Sequence, residues 1–251
     1  MRISTWNIGS GININSYKEE LFDITPALKP DDNIIDIIAN QIIANKIDVI
    51  AMQEVITTES FNYVNKLSEK TGLKYHVSYE NSPCHLVKNT MFGLAILSRY
   101  PIEIIKKQLF PNPRLTVTTT KGIYSTHDKG YIIAKIDADE PFYISCTQFL
   151  PFHRFNVDIL DYKSLFDEYQ INNLMNKTIC VGDFNCIDGI DKIEKVLDLL
   201  SKEYRPIFNE ITTIDGKKCD NILVPKSVSV KKQGILKNDL SSDHYMCFVE
   251  I

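Results

Sequence analysis

Carboxylates, carboxamides and one histidine recur at the ends of short apolar runs in this chain. Asn7 closes the run 2–7, Glu54 follows Val49-Ile50-Ala51-Met52-Gln53, and Asp183 and Asn185 follow Ile179-Cys180-Val181-Gly182. Asp220 precedes Asn221-Ile222-Leu223-Val224, while Asp243 and His244 precede Tyr245-Met246-Cys247-Phe248. One such carboxylate is ordinarily a turn residue or a helix cap. Several of the same kind point to a shared site, because strand ends present side chains from a rigid frame to a cleft. The chemistry open to them is metal-assisted hydrolysis of a phosphate ester. Carboxylates and amides are hard oxygen donors, and Mg²⁺ takes few carboxylates together with waters and phosphate oxygens. The ion would offset charge developing on the phosphoryl oxygens and the leaving group. A carboxylate beside it could accept a proton from the attacking water. A histidine held by a second carboxylate could bind the phosphate or move a proton.

The elements that must hold these residues read as alternating short strands and amphipathic helices. Strands are expected over 2–7, 48–53, 75–79, 92–97, 102–109, 114–119, 131–136, 142–147 and 178–182, and near 221–224 and 245–251. Helices are expected from Asp31 or Asp32 to about Asn45, from Thr57 or Thr58 to a stop at Gly72, over 156–175 and over 192–200. The first of them would bury Ile34, Ile35, Ile38, Ile42 and Ile43, and the second carries Phe61, Val64 and Leu67. The strands from Phe92 to Thr147 follow one another as in an antiparallel meander, with helices interrupting the strands on either side. Two packed sheets with helices on their outer faces follow from this order. No repeat, low-complexity tract or linker marks a cut point, so residues 1–251 are read as one domain.

The chain is 44% hydrophobic and 24% charged, ordinary globular values that exclude disorder as a description of the whole. With 28 Lys and Arg against 32 Asp and Glu, its net charge of −4 argues against a strongly basic nucleic-acid coat protein. An enzyme with a local basic rim remains compatible. No stretch approaches the ~18 consecutive apolar residues of a membrane span. The start Met1-Arg2-Ile3-Ser4-Thr5-Trp6-Asn7 has no apolar signal core, so a cytoplasmic location is expected. Cys84, Cys146, Cys180, Cys186, Cys219 and Cys247 form no Cys-x-x-Cys pair and read as buried reduced thiols rather than as a zinc site or a disulfide framework.

Five segments then stand out in order: Thr5-Trp6-Asn7-Ile8, Asp48-Val49-Ile50-Ala51-Met52-Gln53-Glu54-Val55, Gly93-Leu94-Ala95-Ile96-Leu97-Ser98-Arg99-Tyr100-Pro101-Ile102, Gly182-Asp183-Phe184-Asn185 and Ser242-Asp243-His244. Each alone is a weak signal. Together, spaced from Thr5 to His244, they resemble the endonuclease/exonuclease/phosphatase superfamily, the fold of the deoxyribonuclease and exonuclease-III enzymes. The resemblance implies an α/β fold, a four-layer α/β/β/α sandwich of two packed mixed sheets flanked by helices, with its site at one end of the sheets. It also implies roles. Glu54 would be the principal Mg²⁺ ligand, with Asn7 beside it and Asp243 helping through the metal or its water; Mn²⁺ could substitute. Asp183 would orient or deprotonate the attacking water, and Asn185 would hold that water or a phosphate oxygen. His244 would contact the scissile phosphate as acid/base or as an electrostatic clamp. Asp220 would orient His244, although Asn221 stands where an aromatic residue is usual after that aspartate. Arg99, in a Ser-Arg-Tyr-Pro turn, would be structural.

One departure matters. Many members carry a histidine in a Thr-His-Leu-like motif where this chain reads Thr147-Gln148-Phe149-Leu150-Pro151-Phe152-His153-Arg154. A neutral amide can donate a hydrogen bond to a phosphate oxygen but cannot shuttle a proton near pH 7. Three readings stand: His153 enters the site, Gln148 serves as a donor while the metal stabilises the leaving group, or the enzyme is impaired.

The superfamily acts on nucleic acids, nucleotide ends, inositol phosphates, phospholipids and protein–nucleic-acid adducts, and fold alone does not choose among them. The leading reading is a Mg²⁺-dependent nuclease or phosphodiesterase acting on DNA or RNA. Lys106, Lys107, Arg114, Lys121, Lys129, Arg154, Lys226, Lys231 and Lys232 are candidates for a backbone-contacting rim. A hydrolase of a small or lipid phosphoester is the second reading, and a non-catalytic binding domain the third. The segment His127-Asp128-Lys129-Gly130 reads as a hairpin turn or a rim loop. The stretch from Gly9 to Pro30, with Asn13, Asn15, Tyr17, Lys18 and Lys29, is the longest insert near the expected site. No membrane span and no obligate protein partner are inferred.

Overall fold

A computed structural model gives the fold and describes residues 1–11, 32–57, 62–84, 87, 89–119, 122–237 and 241–251. The expectations for residues 12–30 and for Asp31, Thr58, Phe61 and Lys121 lie outside these. In chain order the elements begin β1 (Arg2–Asn7), α1 (Asp32–Ala44), β2 (Val49–Thr57), α2 (Tyr63–Thr71), β3 (Tyr75–Pro83), β4 (Met91–Ser98), β5 (Ile102–Leu109), β6 (Thr116–Thr119) and β7 (Gly122–Ser125). They continue β8 (Gly130–Ile136), β9 (Phe142–Gln148), α3 (Asp167–Asn176), β10 (Ile179–Asp183), α4 (Ile190–Val196), β11 (Tyr204–Pro206), β12 (Asp220–Pro225), β13 (Lys232–Leu236) and β14 (Met246–Glu250).

Two six-stranded sheets result, in the orders β13-β14-β1-β2-β4-β3 and β11-β12-β10-β9-β8-β5. Each is mixed: β1 runs parallel to β2 and β9 parallel to β10, and the remaining pairs are antiparallel. Period-two alternation builds the layers. Ile3, Val49, Ala51 and Ile96 face Ile132, Ile144, Val181 and Ile222 between the sheets. The opposite faces of the same strands, through Trp6, Ile50 and Met52, meet α1 and α2. On the far side Tyr131, Ile133 and Cys180 meet an aromatic layer of Phe149, Phe166 and Tyr169, with Ile193 and Val196 of α4. The four-layer α/β/β/α sandwich is therefore the observed architecture.

Several elements differ from the sequence expectation. Ile43 is 51% exposed, since it lies one position, about 100° of helix, past the buried Ile42. Helix α2 begins at Tyr63, because β2 continues through Thr57 and Asn62 supplies the cap, its Oδ1 accepting from the Val64 and Asn65 amides at 2.9 and 3.2 Å. It does stop at Gly72, which takes φ 72°. The expected helix over 156–175 divides into a 3₁₀ segment, Ile159–Phe166, capped by Asp158, and the α-helix α3. Between them Phe166 turns inward to stack on Phe149 at 4.0 Å. The meander is broken after Ser98. Strand β4 already has β2 and β3 on its two edges, so the next strand cannot pair with it and opens the second sheet instead. Strands β7, β11 and β13 escaped the sequence reading because they are short and carry many polar residues; β7 and β13 are also largely exposed or half-buried.

Candidate active site

The second sheet sets a row of polar side chains at one end. In register, Asp183 of β10 lies opposite Gln148 of β9 on one side and Asp220 of β12 on the other. Cross-strand partners project from the same face, so the three side chains are neighbours by construction. Gly182 permits the close approach of β9 and β10 there: a Cβ at this position would overlap the Thr147 carbonyl oxygen.

The first sheet closes on this row from the other layer. Asn7, the last residue of β1, donates from Nδ2 to Asp183 Oδ2 at 3.1 Å and accepts the Gly9 amide at Oδ1, also at 3.1 Å. Glu54 arrives by a different device. The β2–β4 register shifts between Gln53 and Val55, and Glu54 occupies the bulge with φ 55°. A bulge turns a side chain out of the strand alternation. A non-glycine residue held at positive φ is a cost that persists where surrounding structure fixes it. Glu54 Oε1 accepts from Gln148 Nε2 at 2.7 Å. Gln148 Nε2 also lies 3.4 Å from Asp183 Oδ2, so one amide bridges carboxylates from both sheets.

The turn before β14 supplies the remaining side. Ser242 donates from Oγ to the Asn7 carbonyl at 2.6 Å, and Trp6 Nε1 donates to the His244 carbonyl at 3.1 Å, which ties this turn to the end of β1. Asp243 lines the cleft, with Oδ1 3.5 Å from the point where Gly9 would carry a Cβ. His244 Nδ1 is 2.8 Å from Asp220 Oδ2, while Asp220 Oδ1 is buried with no hydrogen-bond partner among the described residues. Asn185, at φ 50°, gives its amide to Asp183 Oδ1 at 3.0 Å and its Nδ2 to the Phe149 carbonyl at 2.9 Å.

Charge in this cleft is unevenly distributed. Burial pushes the Asp183 carboxyl up to about 6; the carboxylates of Asp220 and Glu54 add to the shift, and His244 opposes it. Burial works against a charge on His244, but Asp220, Asp243 and Asp183 outweigh it and hold the ring protonated well above the ordinary imidazole range. Asp183, Asp220 and His244 place ligand atoms within 4.8 Å of one another. Distance alone would allow a metal there. The His244 Nδ1 is already taken up by Asp220. Further hard oxygen groups, those of Glu54 and Asp243, line the same cleft, and Asn7 adjoins it through its bond to Asp183.

The structure thus brings together Asn7, Glu54, Gln148, Asp183, Asn185, Asp220, Asp243 and His244. His153 differs. It lies in the 3₁₀ turn Phe152–Phe155 and lines the cleft, but both ring nitrogens are buried without a hydrogen-bond partner among the described residues. Burial first, then the positive charges of Arg154 and Lys217, lower its pKa to about 4, so the ring is neutral at pH 7. Arg99 pairs with Asp48 at 3.0 Å, away from the cleft.

The sequence reading missed the place of Lys129. It is 7% exposed, and its Nζ donates to Gln148 Oε1 at 2.7 Å and stands 3.8 Å from Glu54 Oε1. It belongs to the interior of the site rather than to an outer rim. The segment 127–130 is no hairpin turn either, because β7 pairs with β6 and β8 pairs with β5 and β9; Thr126, His127 and Lys129 line the cleft instead. The available signal was a lysine two positions before the largely buried run 131–136, where an exposed cation would be out of place.

The model of the Endonuclease/Exonuclease/phosphatase family matches residues 4–244. No curated protein sequence matches the chain significantly. Among solved structures, an endonuclease/exonuclease/phosphatase family protein from Leptotrichia buccalis C-1013-b aligns with a TM-score of 0.64 at 19% identity, covering 100% of this chain and 99% of that one. The catalytic domain of human nocturnin, solved with a bound sulfate anion, gives 0.64 at 17% identity, covering 99% of this chain and 92% of that one. A mannosyl-6-phosphatase of Bacteroides thetaiotaomicron VPI-5482 gives 0.63 at 13% identity, covering 100% and 98%. At these identities the likeness is one of fold.

Proposed function

The chain belongs to the endonuclease/exonuclease/phosphatase family, and on that premise we propose that it is a Mg²⁺-dependent phosphodiesterase, folded as one catalytic domain over 1–251, that takes nucleic acid as substrate. The observation that carries this reading is the convergence of Asn7, Glu54, Gln148, Asp183, Asp220 and His244 from strand ends of both sheets into one cleft. Hydrolysis of phosphoester bonds is the family's chemistry.

Glu54, Asn7 and Asp243 would hold the ion, which supplies Lewis-acid charge to the phosphoryl oxygens when bound. The chain's own groups account for the rest. Asp183 is buried and its carboxyl is raised to about 6, close enough to neutral pH to accept a proton from water. Asn185 has committed Nδ2 to the Phe149 carbonyl, and its Oδ1 takes no hydrogen bond from any described residue, which suits it to orient that water. His244, kept positive by the surrounding carboxylates, is a clamp for the phosphate anion and a proton source for the leaving group. Gln148 provides N–H donors but no proton.

A second reading, a small phosphoester as substrate, is favoured by the fate of the expected basic rim. Lys106 pairs with Glu168, Arg114 with Asp128, and Lys107 and Lys226 are spent on backbone carbonyls. Of the nine cations proposed for the rim, those lining the cleft among the described residues are Lys129 and Arg154. The mannosyl-6-phosphatase is by its name an enzyme of phosphorylated sugars.

The test is release of nitrophenol from bis-p-nitrophenyl phosphate with Mg²⁺, with Mn²⁺ and in EDTA. It is followed by single- and double-stranded DNA, RNA, an abasic duplex, a 5′-tyrosyl adduct, sphingomyelin and an inositol phosphate. Hydrolysis that needs the ion and prefers a polynucleotide is expected. Full activity in EDTA, or none on any substrate, would overturn the reading; preference for the inositol phosphate would select the second.

A further inference from the structure

Gln148 is 3% exposed and stands where a side-chain amide could be built either way round, since its oxygen and nitrogen have nearly the same shape. The chemistry of its neighbours removes that freedom. On one side Lys129 Nζ, a donor, sits 2.7 Å from Oε1. On the other, the acceptor oxygens of Glu54 and Asp183 lie 2.7 and 3.4 Å from Nε2. Reversing the amide would set its carbonyl against two carboxylates and its NH₂ against an ammonium group. Lys129 is itself held: its Nζ also lies over the Phe92 ring, 5.5 Å from the centroid. It comes from the loop leading into β8, next to β9, so the backbone of the second sheet sets both partners.

We propose that Lys129 is a positioning residue that locks the Gln148 amide, so that its two N–H donors stay on the carboxylates of Glu54 and Asp183 and hold these two groups in place across the cleft. This rests on the phosphoester-hydrolase reading for its catalytic consequence, but the locked amide is a property of the protein itself. Outer partners that hold reactive or ligating carboxylates in place are typically worth ~10–100-fold in affinity or activity, which sets the scale here.

The experiment is a double-mutant cycle with an independent structural readout. Lys129→Met keeps an unbranched side chain of similar length and removes the donor; Lys129→Arg keeps a donor. Turnover of bis-p-nitrophenyl phosphate is measured for both, for Gln148→Ala and for the Lys129→Met/Gln148→Ala pair. Lys129→Met is expected to lower kcat at least ~10-fold with KM changed less, Lys129→Arg to recover part of it, and Lys129→Met to add less than ~3-fold in the Gln148→Ala background. In parallel, ¹H–¹⁵N spectra follow the Gln148 side-chain NH₂ pair, identified by its loss in Gln148→Glu. The pair should be displaced and slow to exchange in the parent and in Lys129→Arg, and should shift and exchange faster in Lys129→Met, where nothing holds Oε1 in place.

An equal loss from Lys129→Met in both backgrounds would mean that Lys129 acts on substrate or on Glu54 directly, and would overturn the proposal. So would an NH₂ pair unmoved by Lys129→Met, a result readable even if the protein hydrolyses nothing. Absence of hydrolysis with the amide locked as described would count against the phosphoester reading alone.

Discussion

Asp220 Oδ2 meets His244 Nδ1 at 2.8 Å, a contact between strand β12 and the turn before β14 that spans 24 positions of sequence and joins the two sheets at the cleft. It fixes the imidazole plane and its charge together. Asp220→Asn should leave the fold intact and lower turnover by at least ~10²-fold, the scale of a misplaced or uncharged acid–base group. Steady-state kinetics with a thermal melt on the same sample checks it; full activity in Asp220→Asn would remove the pair from the mechanism.

The same pair makes stability depend on pH. The folded His244 pKa is raised above the ordinary 6.5, so its contribution is fully present below about pH 6.5 and is lost as pH rises through the folded value. The raised carboxyl of Asp183 acts in the same direction, since the folded state holds that proton up to about pH 6. Urea midpoints of the metal-free protein in EDTA should therefore fall between pH 6 and pH 9. Asp220→Asn should flatten that slope, and equal slopes in parent and variant would contradict the assignment.

Glu54→Gln keeps the shape of the bulged side chain but halves its donor strength. Mg²⁺ affinity should fall ~10-fold or more by calorimetric titration, and turnover at least ~10²-fold. The melting temperature in EDTA should stay level or fall, because the buried Lys129 loses the opposite charge 3.8 Å from its Nζ. Undiminished metal binding would place the ion elsewhere, with Asp183, Asp220 and His244 as the alternative group.

His153 and Gln148 should separate cleanly. A ring whose pKa lies near 4 has no proton to give at pH 7, so His153→Ala should change kcat by less than ~3-fold, far from the ~10²–10⁴-fold of a lost general acid. Gln148→His should preserve or raise hydrolysis, most visibly with poor leaving groups. A pH–rate profile for each variant decides the matter; a large loss confined to His153→Ala would show that the proton comes from that turn.

Gly182→Ala tests how the row of side chains is built. The added Cβ would meet a backbone carbonyl, that of Thr147, which cannot rotate away. The strands must separate, at a cost of ~1–3 kcal/mol by urea denaturation. Because Gln148 and Asp183 adjoin this point in register, activity should fall by more than stability explains.

Much of this protein was legible from the order of its residues. Apolar runs of strand length, broken by helices whose isoleucines share one face, fix a layered α/β class, since period and length are local properties. The strand-end residues Asn7, Glu54, Asp183 and His244 could be named because each follows or precedes such a run. What the sequence left open were choices made by neighbours far along the chain. That β5 starts a second sheet depends on β4 having no vacant edge. That Glu54 faces the cleft depends on a bulge set by the β2–β4 register. That Asp220 serves His244 depends on two sheets ending together. Lys129 shows the limit most clearly: a lysine is locally a solvated surface charge, and it becomes a buried donor to Gln148 because the packing of β8 beside β9 delivers it between a carboxylate and an amide. Local sequence governs the backbone's period, while the partners that hold a buried charge come from remote segments that the tertiary fold brings together.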